Sequence, residues 1–220
     1  MLKSLIALFA FLAIGCTTLV QSAPAYWSEM QAFQLADRLK APPEHPILFI
    51  GSSSFTLWTS AAKDLNDPTI LNRAFGGSTL LDVIENADQV IKPYHPRQVV
   101  IYCGENDAAM PGVKGADVAD RFKILFGIIR QHYPNVQVSY VSIKASPSRA
   151  EFFPVVREAN QLIAAFLATR QNTSFIDVHG AMLDTNGKPR AELFGQDRLH
   201  MTAQGYAIWI RIIAPFLLKA

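Results

Sequence analysis

The side chains able to do chemistry fall in four short blocks along the 220 residues of the chain. Gly51-Ser52-Ser53-Ser54, Gly76-Gly77-Ser78 and Gly104-Glu105-Asn106-Asp107 each follow an apolar run, and Asp197-Arg198-Leu199-His200 lies near the end. Ser53 becomes a nucleophile if a base takes its proton. His200 can be that base, and Asp197 can hold its Nδ1–H while Nε2 faces the serine. The Asn106 amide, with the backbone N–H groups of Gly77 and Ser53, would supply donors for an oxyanion. Together these groups form a complete set for acyl transfer.

Each block alone has a plainer reading. Three serines before a helix can serve as a cap, and an Asp three residues before a His can be a cap beside a surface imidazole. It is the ordered set that carries the argument. Asp107 is read as a brace for its loop and Glu105 as solvated. The chain lacks a G-x-S-x-G elbow, because Phe55 stands at the second glycine position. A phosphate loop and a G-x-G-x-x-G fingerprint are also missing. His45, His95, His132 and His179 have no metal-ligand spacing, so neither metal nor cofactor is expected.

These blocks need a scaffold that brings strand ends together. Pro46–Ile50, Ile70–Ala74, Gln98–Cys103, Val136–Ile143 and Ser174–Val178 read as short buried strands. Between and after them, helical patterns cover Ser53–Asp64, Leu80–Val90, Val118–Gln131, Phe153–Arg170 and Thr202–Leu218, with Tyr26–Leu39 ahead of the first strand. The Asp197–His200 block is expected to open the last helix. Strands alternating with helices imply right-handed crossovers and an α/β fold with a five-stranded parallel sheet. Ligands bind such sheets beyond the carboxyl ends of the strands, where three of the blocks fall.

Half the residues are apolar and the formal net charge is +2, which suits one globular domain over 26–220 and gives no reason to expect nucleic acid as a partner. Residues 1–25 read as an export signal: Lys3, an apolar stretch from Leu5 to Ile14, then Gly15-Cys16. Two processing routes stay open. Ala13-Ile14-Gly15-Cys16 resembles a lipoprotein box, which would lipidate Cys16 and attach the chain to a membrane. Cleavage after Ser22 or Ala25 would instead release a periplasmic or secreted domain. Cys103, in an apolar run, is expected to be a buried hydrophobe.

The blocks as they stand resemble those of the SGNH/GDSL-type hydrolases, in a GSSS form. The family's four letters map onto Ser53, Gly77, Asn106 and His200, and its acid maps onto Asp197. The similarity runs from Trp27 to the final helix and includes Asn72-Arg73-Ala74-Phe75-Gly76-Gly77. It implies a flavodoxin-like three-layer α/β/α sandwich and a serine esterase forming an acyl-enzyme. One departure is Ser52, where the family carries Asp, so hydrogen bonding around the nucleophile must differ.

Substrate is less legible. The connections Ala108–Gly115, Lys144–Phe152 and Met182–Gly195 are the ones long enough to shape a pocket, and none holds an apolar lid helix. That favours short acyl groups, acetyl to butyryl. Lys144, Ser146 and Arg149 are candidate substrate-binding residues, suited to a sugar or an anionic leaving group. The alternatives are a lysophospholipase, an envelope polysaccharide O-acyltransferase and a non-catalytic carbohydrate- or lipid-binding module.

Overall fold

The computed structural model describes residues 24–219. The expected leader up to residue 23, with Cys16, lies outside them. Five strands form one sheet: β1 Ile47–Gly51, β2 Ile70–Asn72, β3 Gln98–Tyr102, β4 Gln137–Val141 and β5 Thr173–Ile176. All neighbours are parallel and the order is β2-β1-β3-β4-β5, a doubly wound arrangement of the flavodoxin type. The helices are α1 Trp27–Leu39, α2 Ser53–Thr56, α3 Ala61–Asp64, α4 Leu80–Glu85, α5 Ala87–Val90, α6 Glu105–Ala108, α7 Gly115–His132, α8 Phe153–Ala168 and α9 Ala203–Ile213.

The strands are mainly apolar because both faces of the sheet are covered, and the polar Gln98 and Ser139 within them are buried and hydrogen-bonded to each other. Successive side chains point to opposite faces, so each strand feeds two cores. Leu48, Ile50, Val99, Ile101, Val138 and Tyr140 pack with Leu80, Val83, Phe122 and Ile163 on one side. Ile47, Phe49, Val100, Tyr102 and Val141 pack with Phe55, Trp58, Ile208 and Trp209 on the other. The result is the three-layer α/β/α sandwich. Among the described residues no helix is long and apolar enough to cross a membrane.

Three helix expectations are corrected, the first being Leu80–Val90, which divides at Asn86 into α4 and α5. Ser53–Asp64 is not continuous, because the chain leaves helical geometry between Thr56 and Ala61. Trp58 lies in that break, buried against Phe49, Phe55 and Trp209, with its indole N–H donating to Asp64 at 2.8 Å. Burial of the indole outweighs the few backbone bonds that a continued helix would add. The last helix begins only at Ala203 and ends at Ile213, before a 3-10 turn over Ala214–Phe216 that contains Pro215.

Candidate active site

The turn after β1 is built around one glycine. Gly51 has φ of +122°, and a Cβ there would lie 2.0 Å from the carbonyl oxygen of Tyr102 on β3. Without that atom, β1 runs close beside β3 to its last residue, and the Ser52 N–H donates to the Tyr102 carbonyl at 2.8 Å. Ser52 is extended, and the Ser52 carbonyl then accepts from the N–H groups of Phe55 and Thr56 to start α2. Ser53 therefore sits at the first helical position. Its own N–H has no protein acceptor among the described residues, as expected for a helix N-terminus.

Of the three serines, Ser53 alone reaches the imidazole. Ser52 and Ser54 are buried, whereas Ser53 is half-buried and its Oγ lies 2.9 Å from His200 Nε2. These residues are 147 positions apart in sequence. The aromatic core joins them: Trp209 of α9 packs edge-on against Phe55 of α2 at 6.0 Å, and the Tyr206 hydroxyl donates to the Ser54 carbonyl at 2.9 Å.

Asp197 and His200 do not open α9, which corrects the expectation above. They occupy a tight turn ahead of it, closed by Gly195 N–H to the His200 carbonyl at 2.8 Å and Arg198 N–H to the Gly195 carbonyl at 2.9 Å. Arg198 takes the left-handed conformation, φ +56°, that this turn requires. One carboxylate oxygen of Asp197 accepts from the N–H groups of Leu199 and His200, both at 3.0 Å, and the other meets His200 Nδ1 at 2.6 Å. Those two backbone donors, then the imidazole, hold the carboxyl of Asp197 down to about 2. Asp197 thus stays ionised across the whole range in which an imidazole changes charge. Its fixed acceptor directs Nδ1–H inward and leaves the Nε2 lone pair for Ser53, an arrangement able to remove the serine proton.

Asn106 follows β3 on α6. Its Nδ2 donates to Ser52 Oγ and to the Ser78 carbonyl, both at 3.0 Å. Ser52, standing where the family has Asp, is thus the group that braces Asn106. The Ser78 hydroxyl in turn donates to the Gly51 carbonyl at 3.1 Å, which ties the second block to the first. Gly77 is exposed with φ of +79°, and its N–H has no protein acceptor among the described residues. Asp107 braces this region: it is buried, accepts from the Leu80 N–H at 2.9 Å and pairs with Arg121 at 2.7 Å. Burial raises its pKa, against the pull of Arg121.

Sequence reasoning misplaced Lys144, Ser146 and Glu105. Lys144 is 1% exposed and Ser146 wholly buried, so neither presents its side chain to a substrate. Glu105 is not solvated but 5% exposed. Its carboxylate takes the Lys144 ammonium on one oxygen and the Ser146 hydroxyl on the other, and the Tyr102 hydroxyl adds a bond at 3.0 Å. Burial lowers the Lys144 pKa and Glu105 opposes that shift. The pair joins the start of α6, one residue before Asn106, to the segment after β4. Lys144→Met should cost about 3–5 kcal/mol by stranding a buried carboxylate. Adding Glu105→Gln should return most of that loss, and urea denaturation of both variants measures it. Arg149, the third candidate, remains accessible in part, as described below.

His179 points elsewhere, with Nδ1 2.9 Å from the Ile143 carbonyl. Cys103 is buried, its thiol 3.6 Å from the Ser78 carbonyl, and burial raises its pKa far above the usual thiol range. A cavity of about 430 Å³ between Leu65–Thr69 and Ala214–Lys219 lies at the amino ends of the strands and contains none of the site residues. The chemistry sits instead at the carboxyl ends, where the His200 and Asp197 side chains are 31% and 50% exposed.

A parallel α/β sandwich with Ser, His and Asp in a hydrogen-bonded chain beyond its strand ends is an arrangement suited to acyl transfer. Residues 51–208 match the model of the GDSL-like lipase/acylhydrolase family, well over half of the chain, and the protein belongs to that family. It is a carboxylic ester hydrolase. The fold is similar to that of a Streptococcus pneumoniae protein provisionally named a platelet activating factor: TM-score 0.76, 18% identity, 87% of this chain and 92% of that one. A GDSL-like lipase from Bacteroides thetaiotaomicron aligns with TM-score 0.70 and 18% identity over 85% of this chain and 96% of its own. An acetyl esterase solved with acetate ion aligns with TM-score 0.61 and 14% identity over 78% and 95%. No individually curated protein matches the sequence.

Proposed function

We propose that the protein is a serine esterase for short acyl esters, acting through Ser53, His200 and Asp197. The observation that carries this reading is the continuous chain from Asp197 Oδ2 through His200 to Ser53 Oγ, with contacts of 2.6 and 2.9 Å. Ser53 Oγ attacks the ester carbonyl carbon and its proton passes to His200 Nε2. The carbonyl oxygen becomes an oxyanion beside the N–H groups of Ser53 and Gly77 and the Asn106 amide. Both Asn106 amide hydrogens are engaged in the resting site, so one must be shared with the oxyanion as charge develops there. Collapse breaks the bond to the leaving oxygen, which takes the proton from His200. Water then attacks the acyl-Ser53 carbonyl, gives a proton to His200, and the released serine recovers it as the carboxylic acid departs.

The short-acyl assignment rests on what flanks Ser53. The connections near it consist of turns and 3-10 pieces, the longest being Pro147–Phe152, and none offers an apolar helix to cover a long chain. The acetyl esterase among the structural neighbours is consistent with that choice. The test is kcat/KM on 4-nitrophenyl acetate, butyrate, octanoate and dodecanoate. A maximum at acetate or butyrate is expected. A maximum at dodecanoate rejects the short-acyl reading and favours a lysophospholipase. Export by residues 1–25, with release or with anchoring through lipidated Cys16, completes the proposal, and acyl labelling of wild type against Cys16→Ser separates those routes.

A further inference from the structure

Arg149 makes no ion pair among the described residues. The residue is partly exposed, its Nε is sealed from solvent without a hydrogen-bond partner, and no carboxylate lies within 4.0 Å of its guanidinium among the described residues. A sealed guanidinium N–H without an acceptor carries a desolvation cost of its own. Of the acids nearby, Glu105 is taken by Lys144, Ser146 and Tyr102, and Asp197 is engaged by His200 and two backbone N–H groups. Lys144 in fact adds repulsion, for Arg149 is near enough to disfavour the lysine's charge.

The placement of this cation is specific. Arg149 lies in the 3-10 segment Pro147–Phe152, and the preceding residue, Ser148, donates its N–H to the Arg198 carbonyl at 3.0 Å. Arg198 is inside the Asp197–His200 turn. Arg149 N–H returns to the Ser146 carbonyl at 3.0 Å, and the backbone at Arg149 departs from helical geometry, φ −115° and ψ +16°. The segment is therefore tied to the turn that carries the imidazole. His200 must deliver its proton to the departing oxygen, so groups packed around its turn border the alcohol part of the ester, while Gly77 and Asn106 border the carbonyl oxygen.

We infer that Arg149 binds an anionic group, carboxylate or phosphate, on the alcohol part of the substrate, making it a specificity residue for esters of acidic alcohols. The inference rests on the serine-esterase reading above. A guanidinium pairs such oxygens bidentately, and an anion there would compensate the charge that the protein leaves unpaired. Neutral esters would gain nothing from it.

The experiment compares 4-acetoxybenzoate and 4-acetoxyphenyl phosphate with the uncharged methyl 4-acetoxybenzoate, on wild type and on Arg149→Gln and Arg149→Lys. The ratio of kcat/KM for an anionic ester to that for the neutral one should fall roughly ten- to hundredfold in Arg149→Gln, the loss of one charged hydrogen-bonded contact. Arg149→Lys should recover part of it. Which anion shows the larger fall separates a carboxylate substrate from a phosphate one. In wild type, raising NaCl from about 0.05 to about 0.5 M should lower the same ratio, a measurement independent of how the variants fold. A ratio within twofold of wild type in Arg149→Gln, or insensitive to salt, overturns the proposal. Ser53→Ala run beside them tests the esterase reading separately: if it still turns over the neutral ester, that reading fails whatever the ratio does.

Discussion

Ser53→Ala should lower turnover of 4-nitrophenyl acetate by roughly 10⁴- to 10⁶-fold, the usual consequence of removing the nucleophile from a unit whose members act together. Its neighbours should behave differently for reasons visible in the site. Ser54 is buried, so Ser54→Ala should retain most activity. Ser52→Ala deletes one of the two acceptors that brace Asn106 and should cost several-fold at most, since the Ser78 carbonyl still holds the amide. Steady-state kinetics, with a fluorophosphonate label as a count of reactive serines, decides the matter. A dead Ser52→Ala beside an active Ser53→Ala would reassign the nucleophile.

Asn106→Ala should reduce kcat by about 10²- to 10³-fold with KM nearly unchanged, because its amide meets a charge that exists only in the transition state. The structure sharpens this expectation. Asn106 also links Ser52 to the Ser78 carbonyl, so truncation loosens the junction of two strand-end loops. Asn106→Asp separates the two effects: it keeps the shape but places a negative charge where the oxyanion forms. It should be at least as slow as Asn106→Ala. A large fall in melting temperature with little change in kcat would make Asn106 a structural residue instead.

Much of this molecule was legible in the chain because its determinants are local. Short strand-like runs rich in apolar residues marked all five strands, since a parallel sheet covered on both faces has no wholly polar side to encode. Three blocks could be placed at strand ends by reading along the sequence. The spacing of Asp197 and His200 allowed one carboxylate to hold one imidazole, although the turn that does so is not helical. The left-handed Arg198 and the bond from Gly195 to the His200 carbonyl close it before α9 begins.

The polarity of a residue type, by contrast, said little about where it would lie. Lys144 and Ser146 read as a basic, substrate-facing loop, yet both are buried against Glu105, about 40 positions earlier in the chain. A charge can be buried when a partner arrives from another strand, and no local pattern announces that partner. The break after Thr56 has the same origin, since burying Trp58 against Phe49 and Trp209 outweighs helix continuation. So the identities of Ser53, Asn106, Asp197 and His200 followed from residue type, order and family resemblance. Which cation is neutralised and which makes no ion pair beside the site depended on contacts between distant segments, because burial and charge pairing are properties of the packed fold.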